Sequence, residues 1–486
     1  MVFTPGKLAT LITRRAQTVE EEGGILVALL STVVLPVGQW WSGKMAGVCC
    51  LMLVAVMVGW SHGQLDVCFP HEVPEVPNPN LPRDISKFSL GLFKKVVTWG
   101  ERGRLRTREG GHLKINKKEG GTTSSQSRGA VQNIVISPYS VWSALVLAYL
   151  GAEGSTRRQL ARALKLSSKT SSHANYLFVH QMLSEETMGL LRSTKTTQNS
   201  NNTVLSSMNR AYFASHVAVQ PCLVKNLKEE IVRLDFTNPT QAAARINGDV
   251  SAATRGEIDT LVEPSDVKNA EFVLTNAVYF QGAWQTVFPA ERTTLGIFRA
   301  TQDITQGLVL LMKVVGKFKF AFSPTLNASV VELPYSAGFS MLVLLPTMDM
   351  WQPENVVKRL SHRRLEDVRA KLAPAEMEIT LPKFKVLSRL THQLKKALVD
   401  MGVTDIFTRS SDLSTFSSSS GLRLDSAIHQ ATITVSEEGT VAAAATALIG
   451  TRVGPAKFTA NRPFVFLITD DILRVPIITG VYKGPV

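Results

Sequence analysis

The sequence predicts an α+β fold, because helical patterns are concentrated in its first half and strand patterns in its second half. Apolar side chains recur at helical spacing over residues 84–98, 141–150 and 157–166. Strand-like apolar runs cover residues 271–281, 328–334, 340–346, 376–382, 464–469 and 473–481, the last two forming a C-terminal hairpin. Segregated helices and strands are typical of an α+β plan and not of alternating β-α-β units.

The size and composition of the chain favour one large domain. Of its 486 residues, 44% are hydrophobic, which is enough for a large core. Length alone would suggest about three domains. However, no repeat or change of composition divides the chain after residue 132. We therefore expect a single domain over 84–486, preceded by a proline-rich linker over 64–83.

Two apolar stretches near the N-terminus, residues 25–37 and 45–60, predict a leader over 1–63. The second stretch follows Lys44 and leads to Ser61-His62-Gly63, the layout of a signal peptide with its cleavage site. We expect cleavage near Gly63–Gln64 and secretion. An uncleaved anchor over 25–60 is the alternative, and Met45 is an alternative start.

A basic, glycine- and serine-rich segment interrupts the chain at residues 101–131. Its cations outnumber its acids by eight to three. A solvated insertion is one interpretation, and a binding site for a sulfated polysaccharide or another acidic surface is the other. The formal net charge of +14 agrees with polyanionic partners, but nothing resembles a nucleic-acid module. The candidate polyanion-binding residues are Arg102, Arg104, Arg106, Arg108, Lys114, Lys117 and Lys118.

Cysteine usage and sequons fit an extracellular protein that does not depend on disulfides. Without the leader, only Cys68 and Cys222 remain, and the sequence leaves open whether they pair. Asn201 and Asn327 head candidate glycosylation sequons.

No catalytic or metal-binding motif is present. The chain contains no GxSxG turn, phosphate-binding loop, dinucleotide fingerprint or CxxC pair, and its nine histidines form no zinc-helix spacing. We therefore expect that the protein is not an enzyme and that it needs no metal or cofactor. Activation by a glycosaminoglycan is the one exception.

The segment 431–454 has two contradictory propensities. Strand-like alternation at Ile433 and Val435 leads into Glu437-Glu438-Gly439. An uncharged run, 440–451, then precedes Arg452. Its four consecutive alanines favour a helix, whereas low charge and the absence of proline suit pairing into a sheet. A segment that lies outside the fold and later becomes a strand reconciles both properties.

This segment resembles the reactive-centre loop of a serpin, and five further blocks agree in order. Residues 133–150 resemble the family's strand-into-helix signature, and 272–284 resemble its NAVYFKGxW block, with Gln281 where lysine is usual. Residues 401–407, 412–414 and 460–467 match further blocks. The resemblance implies a serpin fold with a large central antiparallel sheet, further sheets, surrounding helices and an exposed loop over about 437–458.

The resemblance also implies a mechanism and a set of site residues. A serine protease cleaves the loop as a substrate, becomes covalently attached and is trapped when the loop inserts into the sheet. The matching hinge residues are Glu437, Glu438, Gly439, Thr440, Ala442, Ala443, Ala444 and Ala445. Ser137, Ser140, Asn276 and His429 match the family's shutter, and Trp284 matches its breach.

Two adjacent bonds are candidates for the cleaved bond. The family's spacing from Gly439 selects Val453–Gly454, whereas counting back from Arg462-Pro463-Phe464 selects Arg452–Val453. Arginine fits a protease pocket with a buried carboxylate through charge-assisted bonds, so we favour Arg452 and a trypsin-like target. We expect a monomeric inhibitor of an extracellular protease cascade. The alternatives are a noninhibitory serpin with a carrier, storage or chaperone role, and a membrane-tethered inhibitor.

Overall fold

The computed structural model describes residues 80–109, 133–166, 203–300, 304–348, 351–419, 421–438 and 455–485. The chain divides into two compact units, Met1–His71 and Glu72–Val486, and all described residues belong to the second. None of the helices in these ranges is long and apolar enough to cross a membrane.

Nine α-helices lie within the described ranges, and several begin with proline. They are α1 (Leu81–Glu109), α2 (Pro138–Leu150), α3 (Gly154–Leu164), α4 (Pro221–Asn226), α5 (Pro239–Ala253), α6 (Pro264–Val267), α7 (Pro353–Arg359), α8 (His362–Arg369) and α9 (His392–Val399). Proline opens α2, α4, α5, α6 and α7. The proline ring fixes a helical φ at a position whose N–H would have no intrahelical partner, so these starts are encoded locally.

The described strands form two sheets. The strands are β1 (Ile134–Ile136), β2 (Val204–Ala214), β3 (Ile231–Leu234), β4 (Phe272–Gln281), β5 (Thr294–Arg299), β6 (Thr305–Ser323), β7 (Ala328–Pro334), β8 (Phe339–Pro346), β9 (Ala373–Pro382), β10 (Phe384–Leu390), β11 (Ser426–Val435), β12 (Ala456–Thr459), β13 (Phe464–Asp470) and β14 (Pro476–Tyr482). A nine-stranded sheet has the order β1-β14-β13-β8-β7-β6-β9-β12, with β5 paired to β6. A five-stranded sheet has the order β10-β11-β4-β2-β3.

The centre of the five-stranded sheet is a parallel pair. β11 runs parallel to β4, from Ser426 opposite Val273 to Thr434 opposite Gln281. Both strands pair antiparallel with their outer neighbours, β10 and β2. The sheet that precedes the reactive-centre segment is therefore mixed, and a second parallel pair, β2–β3, lies at its edge.

Helix α2 lies under this sheet, and contacts at both of its ends hold it in position. The helix is buried along most of its length and contacts β2, β4 and β14. Its Trp142 is fully buried, and the indole Nε1–H donates to Leu164 O at 3.1 Å, which joins α2 to the end of α3. At the other end, Ser137 caps the helix by accepting from Ser140 N. These contacts hold Ser137 and Ser140 beneath β4 and β11.

The α+β prediction is confirmed, and three details differ from the sequence-based expectations. Helix α1 continues to Glu109, so the first nine residues of the segment 101–131 are helical and not loop. Residues 456–458, expected as the end of the exposed loop, belong to β12, which pairs with β9 and buries Phe458. The 19-residue strand β6 was not predicted, because lysines interrupt its apolar alternation.

Candidate functional site

The candidate site lies where β11 ends and the chain leaves the five-stranded sheet. Ser436, Glu437 and Glu438 follow β11 and are the last described residues before Pro455. The other predicted hinge residues, Gly439, Thr440, Ala442, Ala443, Ala444 and Ala445, lie outside the described residues, as do Arg452, Val453 and Gly454 at the candidate cleavage bonds.

Two side chains from other parts of the chain bind Glu437. Its Oε2 lies 2.8 Å from Lys383 Nζ, and its Oε1 accepts from Thr293 Oγ1 at 2.9 Å. Burial alone would raise the pKa of Glu437, but the bonds from Lys383, the backbone and Thr293 together lower it. The carboxylate is therefore held in its charged form.

Glu438 is bound on the opposite side, by the end of β4. Its Oε2 accepts from Gln281 Nε2 at 2.9 Å, and its backbone oxygen accepts from Trp284 N at 3.0 Å. Consecutive residues of an extended chain point to opposite sides, which explains why the two glutamates find partners in different directions. The start of the hinge is thus fixed from both sides.

Trp284, which was matched to the family's breach, adjoins these glutamates three residues after the end of β4. It is 1% exposed, and its Nε1–H donates to Ser436 O at 2.8 Å. Its ring stacks on Tyr335 with centroids 4.1 Å apart. Gly282 permits this packing, since a Cβ there would lie 2.3 Å from the Tyr335 ring. The buried indole therefore holds Ser436, the residue immediately before Glu437, in place.

The four predicted shutter residues come together beneath the parallel pair, and all four are buried. His429 lies opposite Asn276 in the β11–β4 register, and their side chains are hydrogen-bonded. Asn276 Nδ2 donates to Ser140 Oγ, and Ser137 N donates to His429 Nε2 at 3.0 Å. The cluster therefore links both strands of the parallel pair to the start of α2.

The bonds of this cluster fix the protonation of His429. A backbone N–H can only donate, so Nε2 must be the unprotonated nitrogen and Nδ1–H donates to Asn276 Oδ1. Burial lowers the pKa of His429 to about 3. The imidazole is consequently neutral at physiological pH: it accepts from Ser137 N through Nε2 and donates to Asn276 Oδ1 through Nδ1–H.

Three residues of the site were not found from the sequence. Asn209 on β2 lies opposite Asn276 and accepts from both Asn276 Nδ2 and Ser140 Oγ. Thr293 and Lys383 bind Glu437. The polar Asn209 on a strand is a weak local signal, and nothing in the sequence pairs Lys383 with a residue 54 positions later.

The remaining predicted sites are only partly within the described residues. Asn327 lies in the turn between β6 and β7, with a left-handed φ of 56° and a half-buried side chain. Arg102, Arg104, Arg106 and Arg108 lie on the last turns of α1, whereas Lys114, Lys117, Lys118 and Asn201 fall outside the description. The described ranges contain no group of three or more His, Cys, Asp or Glu side chains that could hold a metal.

Comparison with known proteins identifies the family. The family model for serpin (serine protease inhibitor) matches residues 122–485. The chain is 32% identical to serine protease inhibitor 88Ea of Drosophila melanogaster over 381 residues, which cover 73% of this chain and 86% of that protein. It is 31% identical to the leukocyte elastase inhibitor of Xenopus tropicalis over 369 residues, covering 73% of this chain and 94% of the relative.

Solved structures agree on the fold. Maspin superposes with a TM-score of 0.67 at 22% identity, over 87% of this chain and 100% of that structure. Native protease nexin-1 with heparin superposes with a TM-score of 0.64 at 24% identity, over 84% of this chain and 100% of that structure. Together with the family model and the relatives, these findings show that the chain belongs to the serpin family of serine protease inhibitors and is not an enzyme.

Proposed function

We propose that this chain is a secreted inhibitor that traps a trypsin-like serine protease as a suicide substrate and so restrains an extracellular proteolytic cascade. The observation that carries the proposal is the position of the hinge. Glu437 and Glu438 continue directly from β11, one strand of the parallel pair at the centre of the five-stranded sheet.

The direction of the strands favours insertion of the following segment. A chain that folds back after Glu438 would run antiparallel to β11, and therefore also antiparallel to β4, because these two strands are parallel to each other. Insertion between them would replace one parallel pairing with two antiparallel pairings, which are slightly more stable per residue. β11 spans 10 residues, and the segment 439–452 is long enough to match it.

The composition of the segment is suited to entering a packed sheet. Thr440 is β-branched, and Ala442–Ala445 are too small to clash with the neighbours that they would meet. A charged side chain in this run would be buried without a partner and would cost several kcal/mol. Loop insertion by serpins is a known instance of strand addition to a sheet.

The chemical step belongs to the protease. Its serine Oγ attacks the carbonyl carbon of Arg452, and the bond from that carbon to the Val453 nitrogen breaks. The nitrogen leaves with the proton given up by the serine, and an ester joins protease and loop. Insertion of the released segment then carries the protease away before water can hydrolyse that ester. Val453–Gly454 is the alternative bond.

The place of action and a second partner are also part of the proposal. The apolar leader 45–60, with small residues at 61–63, supports secretion, and the alternative is an anchor over 25–60. The basic segment 101–131 supports binding of a heparin-like polysaccharide that would activate the inhibitor. A related serpin of known structure is described in complex with heparin.

A noninhibitory carrier, storage or chaperone role is the second candidate. The hinge sequence distinguishes the two, because bulky or charged residues in that run would prevent insertion, and residues 440–451 contain none with a charge. Fractionation of medium and membranes would distinguish a secreted inhibitor from a tethered one.

The experiment that tests the proposal is the reaction of the purified protein with trypsin. We expect a covalent complex that survives SDS, and mass spectrometry of its fragments identifies the cleaved bond. Thr440→Arg should convert the inhibitor into a substrate, whereas the matched control Thr440→Ser should still form complex. Cleavage without complex in the wild-type protein would favour the noninhibitory alternative.

A further inference from the structure

A hydrogen-bonded chain of three side chains joins the end of β4 to the hinge. Tyr279 Oη donates to Gln281 Oε1 at 2.7 Å, and Gln281 Nε2 donates to Glu438 Oε2 at 2.9 Å. Tyr279 is 3% exposed and Gln281 is half-buried, so the chain begins in the core and ends at the site.

The donors of this chain all point toward the hinge. The amide oxygen of Gln281 can only accept, so Tyr279 must be the donor, and burial supports this by raising the pKa of the phenol. The amide NH₂ is thereby turned toward Glu438. A carboxylate can only accept, so this is the orientation in which the second bond forms.

Gln281 spans the boundary at which the sheet would open. It is the last residue of β4 and lies opposite Thr434 of β11, four residues before Glu438. Any separation of the two strands at this end must break the bond from Gln281 to Glu438, because one partner belongs to each side. Trp284 N, which donates to Glu438 O, is released by the same movement.

We propose that Gln281 is a positioning residue of the hinge, which sets how readily Glu438 leaves its closed position. Lysine, the usual residue here in the family block that this chain resembles, would form an ion pair with Glu438. The neutral amide of Gln281 forms one directed hydrogen bond instead. In this chain, β4 is therefore joined to Glu438 by a weaker contact. The effect on protease trapping rests on the proposed function, but the hold on Glu438 does not.

Amide hydrogen exchange of the uncleaved protein tests the hold directly. Trp284 N–H bonds to Glu438, while the neighbouring Gln285 N–H bonds to Pro334 and is an internal control. Gln281→Glu introduces repulsion and should speed exchange at Trp284 by tenfold or more, about the effect of losing a bond to a charged group, with Gln285 unchanged. Gln281→Met, which keeps the length of the side chain but removes its donor, should also speed exchange at Trp284. It provides the test if Q281E does not fold.

A swap of the two side chains separates positioning from general damage. The double variant Gln281→Glu/Glu438→Gln again places one donor opposite one acceptor, and it should return the exchange rate of Trp284 to near the wild-type value. An unchanged rate in both single Gln281 variants, or a double variant as fast as Q281E, would overturn the proposal.

Trapping experiments separate this inference from the proposed function. Gln281→Lys should raise the number of inhibitor molecules consumed per trypsin, because slower insertion lets more loops be cleaved without trapping. If exchange at Trp284 responds as expected but no variant forms a covalent complex, the positioning role stands and the inhibitory function fails. If complexes form and exchange does not respond, the positioning role fails alone.

Discussion

Glu437 Oε2 and Lys383 Nζ lie 2.8 Å apart, which joins the first acid of the hinge to the single residue between β9 and β10. The same lysine donates its backbone N–H to Leu310 O on β6, so Lys383 is anchored in the nine-stranded sheet. The hinge of one sheet is therefore fixed to the other sheet. Its release requires this pair to break, in addition to the bonds of Glu438.

We predict a modest but measurable coupling between Glu437 and Lys383. The lysine side chain is 44% exposed, so solvent screens the pair, and we expect a coupling free energy of at most about 1 kcal/mol. A double-mutant cycle with Glu437→Gln and Lys383→Met, followed by urea unfolding, measures it. Lys457 and Glu378, 4.0 Å apart and more exposed, form a control pair that should show none. Equal values for both cycles would contradict a specific hold on the hinge.

His429 predicts a loss of stability in mild acid. Its folded pKa of about 3 lies well below the ordinary value near 6.5, so between these limits the unfolded state binds the additional proton. Folding stability should therefore fall as the pH decreases from about 6.5 toward 3, by up to about 1.4 kcal/mol per pH unit from this residue. His429→Gln should flatten that slope relative to the wild-type protein, as measured by urea unfolding at several pH values.

A titration of the wild-type protein checks the same claim if His429→Gln does not fold. The His429 ring resonances should stay in the neutral form down to about pH 4, whereas exposed histidines titrate near their ordinary value. A midpoint for His429 close to 6.5 would contradict the bonding of its Nε2 to Ser137 N.

The sequence predicted the fold better than the contacts of the site. Apolar alternation is a local property, so β7 was located at the bounds that the structure has, and β8 within one residue. The partners of Glu437 and Glu438 depend on strand order and register, which bring Lys383, Thr293 and Gln281 to one place. Asn209 similarly joins the buried cluster only because β2 pairs with β4 in a particular register.

Arg452 is predicted to select the target protease. Arg452→Ala should abolish inhibition of trypsin, because the residue that would enter the carboxylate-containing pocket is removed. Val453→Ala is the matched control and should leave trypsin inhibition largely intact. Retained stoichiometric inhibition of trypsin by Arg452→Ala would refute the assignment of Arg452. Inhibition of an elastase-like protease that survives Arg452→Ala would instead favour Val453–Gly454, because valine suits a small pocket. The fragment masses of each complex provide an independent check.

The basic segment should bind heparin through charges that follow the end of α1. Since α1 extends to Glu109, a deletion restricted to residues 110–128 spares the helix and removes Lys114, Lys117 and Lys118. We expect the deletion, and the triple substitution of these lysines by glutamine, to elute from heparin at lower salt, because fewer cations contact the polyanion. Glutamine at Lys228, Lys268 and Lys371, all exposed, changes the net charge equally at other places and should leave the elution nearly unchanged. Equal shifts for the two triple variants would mean that heparin responds to overall charge, and the segment would then be a solvated insertion.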